Sequence, residues 1–368
     1  MVMTELQSSL GFDGIENNLR SIVRDSDAYL IIKNGHCDFE LSNIPDGVNI
    51  MGESKEKELA ATILANKFKY VAKDSQVHNL LVECTSSVRL DGPLYVIFLD
   101  NARVGQDKVY HNFYLLREGV QVNIIEKKMP DLKGTKKQNL NIFSSWFLES
   151  ESALTYYGYE LPNKAPDYSI NNHVVIRQMG NSSCSFFTFY WENGVTNNEV
   201  EVFLEGEFAA CKLYSVSLLL NSTIVNNKIR MNHNFPNCES SQLYKGIFND
   251  RSSGHFDSIV YVNSRAQKTS SAQQNNNIIL SDYASVKSDP QLEIFADDVK
   301  CAHGSTVGQI DPIALFYLQS RGIEKKEGIA MLLQGFLCDV IDEIVDLKLR
   351  ECILNEFYKT LSINNYYE

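Results

Sequence analysis

Basic residues are scarce: 34 lysines and arginines stand against 46 aspartates and glutamates, a formal net charge of −12. Nucleic-acid binding relies on Lys and Arg displacing counterions from phosphates, so this balance argues against a polyanion partner. The basic pairs Lys127-Lys128, Lys136-Lys137 and Lys325-Lys326 are short and read as solvated surface charge. No stretch reaches the roughly 18 apolar residues of a transmembrane helix. The N-terminal stretch lacks the basic, apolar and small-residue order of a secretory signal. The expectation is a cytoplasmic chain without membrane contact.

Catalytic signatures are equally sparse. The 8 cysteines, Cys37, Cys84, Cys184, Cys211, Cys238, Cys301, Cys338 and Cys352, include no Cys-x-x-Cys pair. This excludes a zinc ribbon or a local four-cysteine cluster motif. In a reducing compartment they are thiols, most of them serving as small buried apolar residues. The small-residue run Gly304-Ser305-Thr306-Val307-Gly308 has no following Gly-Lys-Ser/Thr, so no Walker A phosphate cradle is written here. Dinucleotide-binding Gly-x-Gly-x-x-Gly and Gly-x-Ser-x-Gly nucleophile elbows are missing as well. Without a self-sufficient catalytic set, the chain reads as a scaffold.

What is present is ordinary globular material, 44% hydrophobic and 22% charged over 368 residues. That length allows two or three domains. Residues 1–75 are mixed, with a short helix expected around Leu19 to Val23, a strand at Ala28 to Ile32 before the Asn34-Gly35 turn, and a helix over residues 55–70. Over residues 76–308, short β-rich runs alternate with polar turns; examples are Leu94 to Leu99, Phe186 to Trp191, Val200 to Leu204 and Ile259 to Val262. Spacing alone fits either a solenoid or two sandwiches. The Ser-Ala-Gln-Gln-Asn-Asn-Asn run at 271–277 reads as an ordered turn whose amides stack between coils, or else as a loop. Residues 309–368 read as a small helical domain at the end of the β body. Asp311 caps a first helix with Pro312 at its first position, and Gly322 ends it. Ile329, Leu332, Leu333, Phe336, Val340 and Ile344 form an apolar stripe, and a further helix through Leu347, Leu354, Phe357 and Leu361 packs against it.

Alternation along a strand puts Cys301 and His303 on one face, where thiolate and imidazole together suit iron or zinc. Two ligands do not make a site, and Cys-x-His alone more often marks ordinary core or turn residues. Glu293, Asp297 and Asp298 lie just upstream as acids that either support a metal or form a solvated polar turn, and His255 and Asp257 are neighbours on an alternating strand. Any metal site at Cys301 and His303 needs remote ligands or ligands from a second chain.

Several long segments closely resemble the SufD family. They are HNFPNC at His233 to Cys238, SSQLYKGIFND at Ser240 to Asp250, AQKTSSAQQNNNIILSD at Ala266 to Asp282, PQLEIFADDVKCAHGSTVGQID at Pro290 to Asp311 and LFYLQSRGI at Leu315 to Ile323. Fainter resemblance reaches back through NEVEVFLEGE at Asn198 to Glu207 and NGHCDFELS near Asn34. The resemblance implies a mainly β fold, a right-handed parallel β-helix followed by a C-terminal helical domain. It also implies a place in the SUF scaffold for iron–sulfur cluster assembly, beside a sister SufB subunit and a SufC-type ATPase docked on the C-terminal helices. His303 matches the family's histidine linked to cluster assembly at the SufB interface, and Cys301 matches the neighbouring cysteine. A cluster is then held only transiently and jointly with SufB, with no cofactor bound stably by this chain alone and room for a flavin in the complex. Two departures stand out: less chain than usual precedes the strand at Ala28, and Ala302 replaces a common Ser. The competing readings are a SufB-like sulfur acceptor and a β-helix carbohydrate-active enzyme.

Overall fold

The computed structural model describes residue 23 and residues 27–51, 77–88, 90–101, 108–131, 138–160, 168–191 and 194–363. The expected helix over 55–70, and most of the one around Leu19 to Val23, lie outside these residues. In chain order the strands begin with β1 (Ala28–Lys33), β2 (His36–Cys37), β3 (Val48–Met51), β4 (Val77–Cys84) and β5 (Leu94–Asn101). The middle coils follow with β6 (Lys108–Leu116), β7 (Gln121–Asp131), β8 (Gln138–Leu148), β9 (Ala153–Glu160), β10 (Tyr168–Gln178), β11 (Ser183–Trp191) and β12 (Val195–Leu204). The last are β13 (Ala210–Leu219), β14 (Ile224–His233), β15 (Glu239–Phe248), β16 (Ser253–Val262), β17 (Thr269–Ile279), β18 (Ser285–Ile294) and β19 (Val299–Gly308). From β4 onward the chain alternates between two sheets, and each strand pairs in parallel with the strand two further on. The two sheets therefore wind together as a parallel β-solenoid, which decides between the two architectures open from spacing.

Between the sheets, every second residue turns inward. Trp146 stacks on Tyr114 with ring centroids 3.8 Å apart, and Tyr156 stacks on Phe186 at 4.0 Å. Corners repeat as well: Glu151, Asn181, Phe208, Asn237 and Lys268 occupy corresponding turns with φ between 56° and 62°. Backbone bonds such as Asn181 N–H to Glu207 O (2.9 Å) and Asn237 N–H to Gln267 O (2.9 Å) tie each turn to the next. Left-handed backbone is unfavourable for Phe and Lys, so the stacked corner imposes this conformation on Phe208 and Lys268.

Two asparagine ladders run along the second sheet. On its outer face Asn226 donates to Asn197, Asn197 to Asn171 and Asn171 to Asn141, at 2.8, 2.8 and 2.9 Å. On its inner face the direction reverses, Asn172 donating to Asn198 and Asn198 to Asn227. Stacked amides thus occur between coils, but not at residues 271–277. That run is neither turn nor loop: it is most of β17, with Ser271, Gln273, Asn275 and Asn277 buried on alternate positions.

Three helices follow, α1 (Pro312–Ser320), α2 (Lys325–Ile341) and α3 (Leu347–Ile363). The Asp311 carboxylate accepts from the Ile313 N–H at 2.8 Å, and Gly322 ends α1 with φ of 86°. Helices α2 and α3 lie back along the outer face of the first sheet. Leu333, Leu337, Val340, Ile353 and Phe357 share an apolar cluster there with Ile97, Phe187, Trp191 and Leu218. The expected stripe shifts slightly: Leu337 and Ile341 are buried where Leu332 and Phe336 are only half-buried, and Leu347 is exposed. Lys245, itself buried, fastens α2 by donating to the Phe336 carbonyl at 2.6 Å and pairing with Asp339. No helix among the described residues is long and apolar enough to cross a membrane.

Candidate functional site

The solenoid stops at β18 and β19, the outermost strands of the two sheets. Register places Cys301 beside Ser271, His303 beside Gln273 and Ser305 beside Asn275. Those β17 partners are buried in the interior, so Cys301 and His303 do share one face, the inner side of the final coil. Among the described residues no coil lies above them. His303 through Gly308 are exposed, while Cys301 is half-buried against the interior apolar cluster. Among the described residues the final strand thus offers an unpaired backbone edge ten residues long.

Burial raises the Cys301 thiol above its usual range, with a smaller opposing effect from the Ser271 backbone. In the free chain Cys301 is therefore a thiol, and acting as a metal ligand requires it to lose that proton. Among the described residues no group of three or more His, Cys, Asp or Glu is placed to hold a metal. The end coil sets Cys301 and His303 together as an incomplete donor pair.

The acids upstream do not complete it. Glu293, Asp297 and Asp298 are exposed, and Asp298 serves the corner: its carbonyl accepts from Lys268 N–H at 2.6 Å and its N–H donates to Gln267 Oε1 at 2.9 Å. His255 pairs with Asp289, at 2.9 Å, and not with Asp257. Lys287 joins the same carboxylate at 2.6 Å, and these neighbours hold Asp289 below the usual carboxylate range.

Sequence reasoning missed the polar interior that leads to this end. The inward column of the first sheet runs Cys184, Cys211, Ser240, Ser271 and Cys301, and the neighbouring column ends Gln242, Gln273 and His303. His233, fully buried, has Nε2 2.8 Å from Ser240 Oγ, which lies 2.8 Å from Ser271 Oγ. Ser258 Oγ, from the opposite sheet, donates to Gln242 Oε1 at 2.7 Å and accepts from Gln273 Nε2 at 2.8 Å. The repeated Ser-Ser at 240–241 and 270–271, each followed closely by Gln, was the available signal.

The family described as "SUF system FeS cluster assembly, SufBD core domain" matches residues 98–336. The chain belongs to this family. Within it, residues of the chain are 33% identical over 167 residues to the iron–sulfur cluster assembly protein SufD of Escherichia coli, covering 45% of this chain and 40% of that protein. SufD of Bacillus subtilis is 37% identical over 102 residues, 28% of this chain and 23% of the relative. A SufBD family protein of Synechocystis is 35% identical over 129 residues, 34% of this chain and 28% of the relative. The similarity thus supports the SufD branch of the SufBD family, and the chain spans less than half the length of each of these relatives. The SufBD match ends inside α2, so it takes in the polar interior, the open coil with Cys301 and His303, and α1.

Proposed function

We propose that this chain is a non-catalytic scaffold subunit of a cytoplasmic SUF complex, and that its open coil joins a SufB-type sister to form the site of nascent cluster assembly. The observation that carries the proposal is the half-site: an imidazole and a thiol side by side on an exposed edge strand, with no third ligand nearby among the described residues. His303 offers an imidazole nitrogen to iron, Cys301 stands one alternate position away, and the sister chain supplies the remaining thiolates and the sulfur. Edge pairing would align the ligands, because register fixes which side chains face each other across a strand junction.

The helices support the second contact. α1 has no buried residue and exposes Ile313, Phe316 and Tyr317 (77%, 70% and 56%), an apolar surface suited to a docked protein. A SufC-type ATPase is the partner we assign to the helical region, and ATP hydrolysis belongs to that partner. The net charge of −12 is unfavourable for a nucleic-acid partner.

The test is co-expression of the tagged chain with its host's SufB and SufC, followed by native mass measurement. The expected product holds one copy of this chain, one SufB and two SufC, and His303→Ala in it forms the complex but loses assembled cluster. A chain that remains alone or pairs only with itself overturns the proposal.

A further inference from the structure

Gln273 is 1% exposed, and its amide is pinned. Nε2 donates to Ser258 Oγ at 2.8 Å and lies 3.4 Å from the Ser258 carbonyl. A carbonyl can only accept, so the amide nitrogen must face Ser258. The hydroxyl proton of Ser258 is already committed to Gln242 Oε1 at 2.7 Å, which agrees with this orientation. The other end of the amide, Oε1, is buried and has no hydrogen-bond partner among the described residues. Buried acceptors are seldom left empty. The next residue along this inward column, in register on the final strand, is His303.

An imidazole that ligates a metal through one nitrogen commonly donates the N–H of the other to a fixed acceptor, which sets both tautomer and ring orientation. We infer that Gln273 is the positioning residue for His303: its buried Oε1 accepts one ring N–H and leaves the opposite nitrogen, unprotonated, facing out of the open coil. This inference rests on the reading of His303 as an iron ligand, and it names the group that prepares the ligand before any partner arrives. An amide suits the task because its oxygen can only accept, which fixes the proton on the ring nitrogen that faces it. Ser258 and Gln242 act behind it, holding the amide so that only its oxygen can turn toward the last strand.

The experiment is a long-range ¹H–¹⁵N correlation spectrum of the full chain with ¹⁵N-labelled histidine, at a pH where the imidazoles are neutral. His303 is assigned by the signals that vanish in His303→Gln. The wild type is expected to show one dominant His303 tautomer. Gln273→Leu should give the mixed tautomers of a solvent-exposed histidine, and Gln273→Glu should restore a single one. Mixed tautomers in the wild type, or a His303 pattern indifferent to Gln273→Leu, overturn the inference. The wild-type spectrum decides even if the leucine variant does not fold. A fixed tautomer together with normal cluster assembly by His303→Ala would overturn the ligand reading and leave the positioning role standing. Mixed tautomers together with cluster loss in His303→Ala would overturn the positioning role alone.

Discussion

Acid should weaken this fold through one buried imidazole before most of its carboxylates protonate. His233 is 0% exposed, its Nε2 meets the neutral hydroxyl of Ser240, and its Nδ1 has no hydrogen-bond partner. Burial pushes its pKa from 6.5 down to about 4. Between those values the unfolded chain binds a proton that the folded chain refuses. Stability is therefore complete above pH 6.5 and falls as pH drops toward 4. Each pH unit in that window is worth about 1.4 kcal/mol, and the whole window about 3 kcal/mol. That is a large share of the roughly 5–15 kcal/mol that holds a typical domain together. Burial also lowers His111, which adds in the same direction, so the effect of His233 must be read by difference. Urea melts of wild type and His233→Gln, taken in half-unit steps from pH 7.5 to 4, provide it. The variant starts less stable, having lost the fit to Ser240, and its curve should be flatter by close to one proton. Parallel curves across the window would refute the reasoning.

A second buried charge acts in the opposite pH range. Burial lowers Lys127 on β7 from 10.5 to about 8, although Cys352 and Glu356 of α3 partly offset this. Wild-type stability should rise between pH 8 and 10.5, where only the unfolded chain holds the proton. Lys127→Met should melt higher at pH 7, by up to about 3 kcal/mol, with the gap closing by pH 10.5. Gly206→Ala would put a Cβ 2.1 Å from the backbone nitrogen of Gly180 in the adjacent coil, so thermal melts should show about 3 kcal/mol of loss or more. Gly335→Ala on α2 meets nothing within 4 Å and should gain about 1 kcal/mol in the same melts.

Hydrophobic alternation made most strands legible, and local chemistry gave the Asn34-Gly35 turn, the Asp311 cap and the Gly322 stop. β17 escaped because its inward positions are Ser271, Gln273, Asn275 and Asn277: the alternation is there, but polar on both faces. The asparagine ladder was hidden for a different reason, since its rungs lie 30, 26 and 29 residues apart and corners of unequal length blur the repeat. On α2, packing against a broad sheet brought in Leu337 and Ile341, which a stripe drawn from six residues left out. Spacing correctly put Cys301 and His303 on one face. It could not show that the stack ends there, because exposure of the last inward positions depends on where winding stops and not on their own neighbours.

The two ends of the solenoid are unlike, and that asymmetry bears on how many molecules can join. At the start, among the described residues, the sheets finish in β2 and β3, strands of 2 and 4 residues laid antiparallel on their neighbours. At the finish, among the described residues, they stop in two parallel strands of 10 residues each. On the proposed reading the long edges at the finish are the joining face, and the short strands at the start offer little backbone to a partner. Two chains joined through those long edges, as proposed, would each have used theirs, so this route predicts a pair and not a head-to-tail array.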